Sequence, residues 1–193
     1  MANLLSNGEI GRILHIKVSW LVDSGLHSHR LWSWRDEETA AGGVLLDWCS
    51  HVIDYTRMLL RDSVSKIRCS TRVTAKSRLD QRGELHTVTA PDSCTLECTF
   101  SGGAVGEFLV SRVEPEGHGH RIDIYGEKGR ISFHHRPPFT ADKKKLWICL
   151  SGEKEIEIKI FETSLDRQID DRLAAFSSLA EDFVVAGSGG PIS

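Results

Sequence analysis

The sequence predicts an α+β fold: an open, mostly antiparallel β-sheet with helices packed on one face. Three observations lead there. Many segments alternate apolar and polar residues with a period of two, short glycine-bearing turns join several of them in pairs, and only two long helical stripes occur, near 42–60 and 165–186. Strands joined by tight turns pair antiparallel, and helices set apart from them cover one face of the sheet.

In chain order, ILHIKVSWLV (13–22) comes first, with Leu14, Ile16, Val18, Trp20 and Val22 expected on one face. A short helical piece is expected around 33–39. The first long helix follows, with Val44, Leu45, Trp48, Cys49, Val52, Tyr55 and Leu59 on one side and Asp47, Ser50, His51, Asp54, Arg57 and Arg61 on the other. Segment 79–90 (LDQRGELHTVTA) reads as a mobile loop. In DSCTLECTF (92–100), Cys94, Leu96, Cys98 and Phe100 face one way, and SGG at 101–103 turns the chain into AVGEFLVSRV, its hairpin partner. RIDIYG and RISFHH pair through Gly126–Gly129, and LWICL and EIEIKIF through SGEK. Glu155, Glu157 and Lys159 suit an edge strand guarded by charge. The closing helix carries Leu165, Ile169, Leu173, Phe176, Leu179 and Phe183 as its stripe.

The chain has 193 residues, enough for one domain with a sizeable core, and its 40% hydrophobic and 26% charged content is that of an ordinary globular protein. A net charge of -3 gives no attraction for nucleic acid or an anionic membrane, and Lys143–Lys145 reads as a solvated turn. No apolar run approaches the ~20 residues that span a bilayer, and MANLLSNGEIG is unlike a signal peptide. Five cysteines without C-x-x-C spacing read as reduced thiols in a cytoplasmic protein. Cys94 and Cys98 lie on one side of a strand, ~13 Å apart and too far to bridge.

Chemistry concentrates on the first long helix. An amphipathic helix with a wet face needs no function to explain it. Its start is more specific: Gly42 and Gly43 permit close approach of another backbone or a flat ligand, and Asp47 and His51 are spaced i, i+4 on one face. A carboxylate beside an imidazole can steer its tautomer for proton transfer. Asp54, one turn on, can help hold the ring. His118, His120, His134 and His135 could build a metal site with His51 and Asp47, but the flanking glycines favour loops, and no metal is expected. The chain has no G-x-S-x-G, no phosphate loop and no G-x-G-x-x-G after a strand.

Trp34-Arg35, then Ala41-Gly42-Gly43, Asp47, His51 and Asp54 together resemble the W-R…G-G-G-x-x-x-D-x-x-x-H-x-x-D signature of the Gfo/Idh/MocA family, named for glucose–fructose oxidoreductase and inositol dehydrogenase. SNGEIGRIL, FSGGAVGEFLVS, IYGEKGRISF and FVVAGSGGPIS resemble further family segments in the right order. Ala41 replaces the first glycine, Trp48 a smaller aliphatic residue and Cys49 a common glycine.

The resemblance implies a C-terminal domain over 1–193, serving substrate binding and oligomerisation, with the N-terminal Rossmann domain and its E-K-P lysine outside the chain, which then reads as a fragment. It implies NAD or NADP in the full-length protein and none tightly bound here. His51 becomes the general acid/base and Asp47 its orienting partner beside the substrate. Arg35 and Trp34 stand at the substrate rim, Asp54 supports the helix near the substrate, and Gly42 and Gly43 admit the nicotinamide. A sugar, polyol or related hydroxy compound is the implied substrate, and the open sheet the implied surface for a second copy. The alternative is a non-catalytic sheet module for dimerisation or scaffolding.

Overall fold

A computed structural model describes residues 1–160 and Ala180. The expected closing helix at 165–186 otherwise lies outside the described residues. The described elements are α1 (Ala2–Ser6), β1 (Ile13–Leu21), a 3-10 turn (Trp34–Asp36), α2 (Val44–Asp47), α3 (Cys49–Leu60), β2 (Val64–Arg72), β3 (Ser77–Leu79), β4 (Leu85–Thr87), β5 (Ser93–Phe100), β6 (Val105–Ser111), β7 (Gly119–Gly126), β8 (Gly129–His135), a 3-10 turn (Ala141–Lys143), β9 (Lys144–Leu150) and β10 (Ile156–Ile158).

Eight strands form one sheet in the order β10-β9-β8-β7-β1-β6-β5-β2. The expected hairpins pair as anticipated: β5 with β6, β7 with β8, and β9 with β10. β1 inserts between two of these hairpins, antiparallel to β7 and parallel to β6. The parallel pair is possible because a long helix-bearing connection separates β1 from β6.

Register stacks the core in rows. Ile16 aligns with Ile124, Ile131 and Ile148 on one side and with Gly106 and Cys98 on the other. Val18 aligns with Ile122, Phe133 and Leu146, and with Phe108 and Leu96. Val44, Cys49 and Val52 of α2 and α3 are fully buried within the same cluster. The other face of the sheet carries Lys17, Glu97, Glu107 and Arg121.

Four local features depart from the expectations. Leu14 is exposed because the β1–β7 register shifts between Ile13 and His15, which takes it off the inner face. Residues 79–90 are not a bare loop: β3 and β4 make a two-stranded ribbon, and Trp32 stacks on its His86 at 4.6 Å. β2, an edge strand, has no counterpart in the sequence reading. Its Ile67 and Cys69 share the inner side with Cys98 and Leu96, yet both are exposed, so its pattern is not that of a half-buried strand. The first long helix is also two pieces, divided at Trp48, whose φ of -104° lies outside regular α geometry.

Candidate functional site

The helix start is fastened to the chain's own backbone. The amide of Gly42 donates to Glu37 O, that of Gly43 to Arg35 O and that of Val44 to Pro91 O, all at 2.9 Å. A Cβ on Gly42 would stand 2.5 Å from Trp34 O, and one on Gly43 2.7 Å from Pro91 Cδ. Gly43 also has φ +88°, a conformation that favours glycine. The space these residues leave is thus filled by residues 34–37 and by Pro91. Ala41, just before them, takes φ +59°.

Asp47 sits half-buried at the end of α2 and accepts a hydrogen bond from Arg35 Nε at 3.3 Å. The Arg35 guanidinium lies 4.4 Å over the Trp34 ring, so cation–π attraction adds to the ion pair in holding it at the rim. His51 and Asp54 are exposed on the turns that follow, in α3. Among the described residues no hydrogen bond or ion pair joins His51 to Asp47. The expected i, i+4 contact is not made: Asp47 turns to Arg35, and Trp48 interrupts the regular helix between the two. Ser50 Oγ donates back to Leu46 O at 2.8 Å, within that irregular turn.

Trp48 is seated below. It stacks on Trp20 at 4.5 Å between ring centroids, and Trp20 stacks on His120 at 5.0 Å. Tyr55 Oη lies 2.8 Å from His120 Nε2. Burial, then the nearby His135, pulls the His120 pKa down to about 4, so the ring is neutral and locked into the core side of the helix.

The histidines do not assemble into a metal centre. His118 pairs with Ser19 Oγ at 2.7 Å on the outer face, whereas His120 lies on the inner one, because Gly119 at φ +81° turns the chain between them. His134 packs on Trp147 and His135 on Phe139. Asp80, Glu84 and His86 of the β3–β4 ribbon bring their ligand atoms within 4.8 Å of one another, but Asp80 already accepts the Arg82 and Glu84 amides and faces His86.

Sequence reasoning missed a buried charged network beneath the strap 35–43. Asp36, 2% exposed, takes two hydrogen bonds from Arg30, at 2.7 and 3.1 Å, and lies 3.4 Å from Arg78 Nε. The Asp36 carbonyl accepts the amides of Thr89 and Ala90. Asp92, 4% exposed, accepts the amides of Thr74 and Ala75. Arg112, 5% exposed, follows β6; its amide donates to Asp92 O, while its Nη2 reaches only Arg35 O, at 3.5 Å. Burial, then the neighbouring Arg30, lowers its pKa, and Asp36, Asp47 and Asp92 oppose that. These residues have no periodicity and long separations, so the sequence offers no signal for them.

Residues 1–132 match the family described as the GFO/IDH/MocA C-terminal domain. The chain belongs to this family. As a GFO/IDH/MocA chain it is 32% identical over 133 residues to an uncharacterized oxidoreductase of Synechocystis sp., covering 68% of this chain and 36% of that protein. It is 28% identical over 114 residues to myo-inositol 2-dehydrogenase of Thermotoga maritima, covering 59% and 30%. It thus spans about a third of the length of these curated relatives. Among solved structures, levoglucosan dehydrogenase in complex with NADH and L-sorbose shares its fold with a TM-score of 0.79 at 22% identity, over 100% of this chain and 54% of that one.

The amides of Gly42, Gly43 and Val44 are bonded within the chain, and the space a side chain would take at either glycine is filled by backbone and Pro91. Among the described residues no helix is long and apolar enough to cross a membrane.

Proposed function

We propose that this chain is the substrate-binding and oligomerisation domain, over 1–193, of an NAD(P)-dependent oxidoreductase that interconverts a hydroxyl and a carbonyl on a sugar, polyol or related hydroxy compound. The observation that carries this reading is the half-buried Asp47, gripped by a rim arginine at a helix start within the family-matched stretch, with His51 exposed on α3 just after it. The inositol and levoglucosan dehydrogenases among its relatives support the substrate class.

A nicotinamide held by a separate Rossmann domain would supply the hydride chemistry. This chain's part is to bind and orient the substrate and to move its hydroxyl proton at the His51 imidazole. Asp47 and Arg35 bind substrate polar groups, Trp34 walls the rim, and Asp54 supports the helix one turn on. Gly42 and Gly43 enter through the close packing of their main chain, which sets the end of the helix that a nicotinamide would face. A second copy would dock on the outer sheet face, where the row Arg68, Glu97, Glu107, Lys17 presents both signs of charge.

The test joins the chain to a dinucleotide-binding half and follows NAD(P) reduction over a panel of polyols and sugars. Turnover is expected, with kcat lowered about 10²- to 10⁴-fold in His51→Ala. Undiminished turnover in that variant removes His51 from the reaction.

A further inference from the structure

The network beneath the strap is unbalanced in charge. Three arginines, Arg30, Arg78 and Arg112, surround two carboxylates, Asp36 and Asp92, while Arg35 and Asp47 pair with each other above. Asp36 is taken by Arg30 and Arg78, and Asp92 by two backbone amides. The surplus cation is Arg112. It makes no ion pair with any described residue, its Nε has no hydrogen-bond partner, and it is 5% exposed. Asp36, Asp47 and Asp92 favour its charge without pairing with it, and a buried guanidinium is disfavoured unless a paired counter-charge is supplied.

The unpaired part of Arg112 is specific. The Nε–Nη2 edge of a guanidinium can grip a carboxylate side-on, as Arg121 holds both oxygens of Asp123 with it. In Arg112 the same edge has only the 3.5 Å contact to Arg35 O. That carbonyl belongs to the residue whose side chain grips Asp47, and it also accepts the Gly43 amide. The unfilled edge therefore underlies the helix start.

We propose that the substrate carries a carboxylate, received side-on by the Nε–Nη2 edge of Arg112, so that the favoured substrates are sugar acids and related polyhydroxy carboxylates rather than neutral polyols. This rests on the reading that the substrate pocket lies at Asp47 and Arg35. Planar two-point pairing matches guanidinium to carboxylate, and the arriving anion offsets the surplus charge as it replaces a long neutral contact.

The test is calorimetric titration of the 193-residue chain with two matched pairs, gluconate against glucitol and glucuronate against glucose. The acids are expected to bind, and their neutral partners at least about tenfold more weakly. Arg112→Lys keeps the charge but lacks the two-point edge, and is expected to weaken acid binding about tenfold without changing neutral binding; Arg112→Gln is expected to abolish the preference. Equal binding of acid and neutral partner by the native chain, no binding of either acid, or undiminished acid binding in a folded Arg112 variant overturns the proposal. The first two outcomes need no variant to fold. His51-dependent turnover of glucitol by the joined enzyme, with no gluconate binding, sinks this proposal and leaves the oxidoreductase reading standing. Arg112-dependent gluconate binding with no His51-dependent turnover does the reverse.

Discussion

Across the inner face of the sheet, Ile16, Ile124, Ile131 and Phe108 are buried among other apolar side chains, whereas beneath the strap 35–43 the buried groups are Asp36, Asp92 and Arg112, with the half-buried Arg30 and Arg78 beside them. Both regions have groups withdrawn from water at their centre. The first is held by area removed from solvent, which has no preferred direction and tolerates exchange of like for like. The second is held by directed charge-assisted bonds, each of which leaves an uncompensated charge when its partner is removed. The strap that carries Arg35 and the glycines rests on the second kind of support, so the helix start is positioned by a few irreplaceable contacts rather than by many interchangeable ones.

The largest effects should separate the two regions. Asp36→Ala strands Arg30 and Arg78 and is expected to cost about 3–5 kcal/mol. Phe108→Ala opens a cavity in the sheet core and should cost a similar ~3–5 kcal/mol. The manner of loss distinguishes them in urea titrations followed by limited proteolysis. Asp36→Ala should open cleavage in 23–43 and 74–92 while the sheet's circular dichroism persists, whereas Phe108→Ala should lower the whole transition together. A single shared transition in both variants would show that the strap and the sheet unfold as one unit.

A middle-sized effect comes from His120, on the apolar side of the comparison. Its folded pKa, about 4, lies below that of a free histidine, so the unfolded chain binds more protons between pH 4 and 6.5. Its contribution is fully present above about pH 6.5 and is lost as pH falls toward 4, on the order of 2–3 kcal/mol. Urea midpoints across that window should fall with acidification, and His120→Gln should flatten the slope. The smallest effect belongs to the exposed ion pair: Arg35→Gln should cost under about 1 kcal/mol of stability. A much larger loss would place Arg35 among the supports of the strap rather than at its rim.

The same contrast decides what could be read from the residues. Alternation in 92–100 and 104–113 marks β5 and β6 because burial repeats every second residue, and the helix at 44–60 is legible from its apolar side. The strap's supports are not: Arg30, Asp36, Arg78, Asp92 and Arg112 meet only after the chain has folded, from separations of up to 82 residues along the chain. β2 escaped because its inner-side Ile67 and Cys69 remain exposed, so burial never shaped the pattern. At the site, Asp47 ends α2 while His51 and Asp54 are exposed on α3. The partner of Asp47 was misjudged because spacing alone cannot show that Trp48 interrupts the helix or that Arg35, twelve residues earlier, folds back over it.

Trp48 directly follows Asp47 and lies face to face with Trp20, one such pair among five tryptophans in the chain. Two indoles at that separation couple their electronic transitions, so the pair should contribute an exciton couplet to the ultraviolet circular dichroism. Any movement of the helix start would alter its sign or amplitude. The protein therefore carries its own optical gauge one residue from Asp47, readable without a dye, a label or a coupled assay.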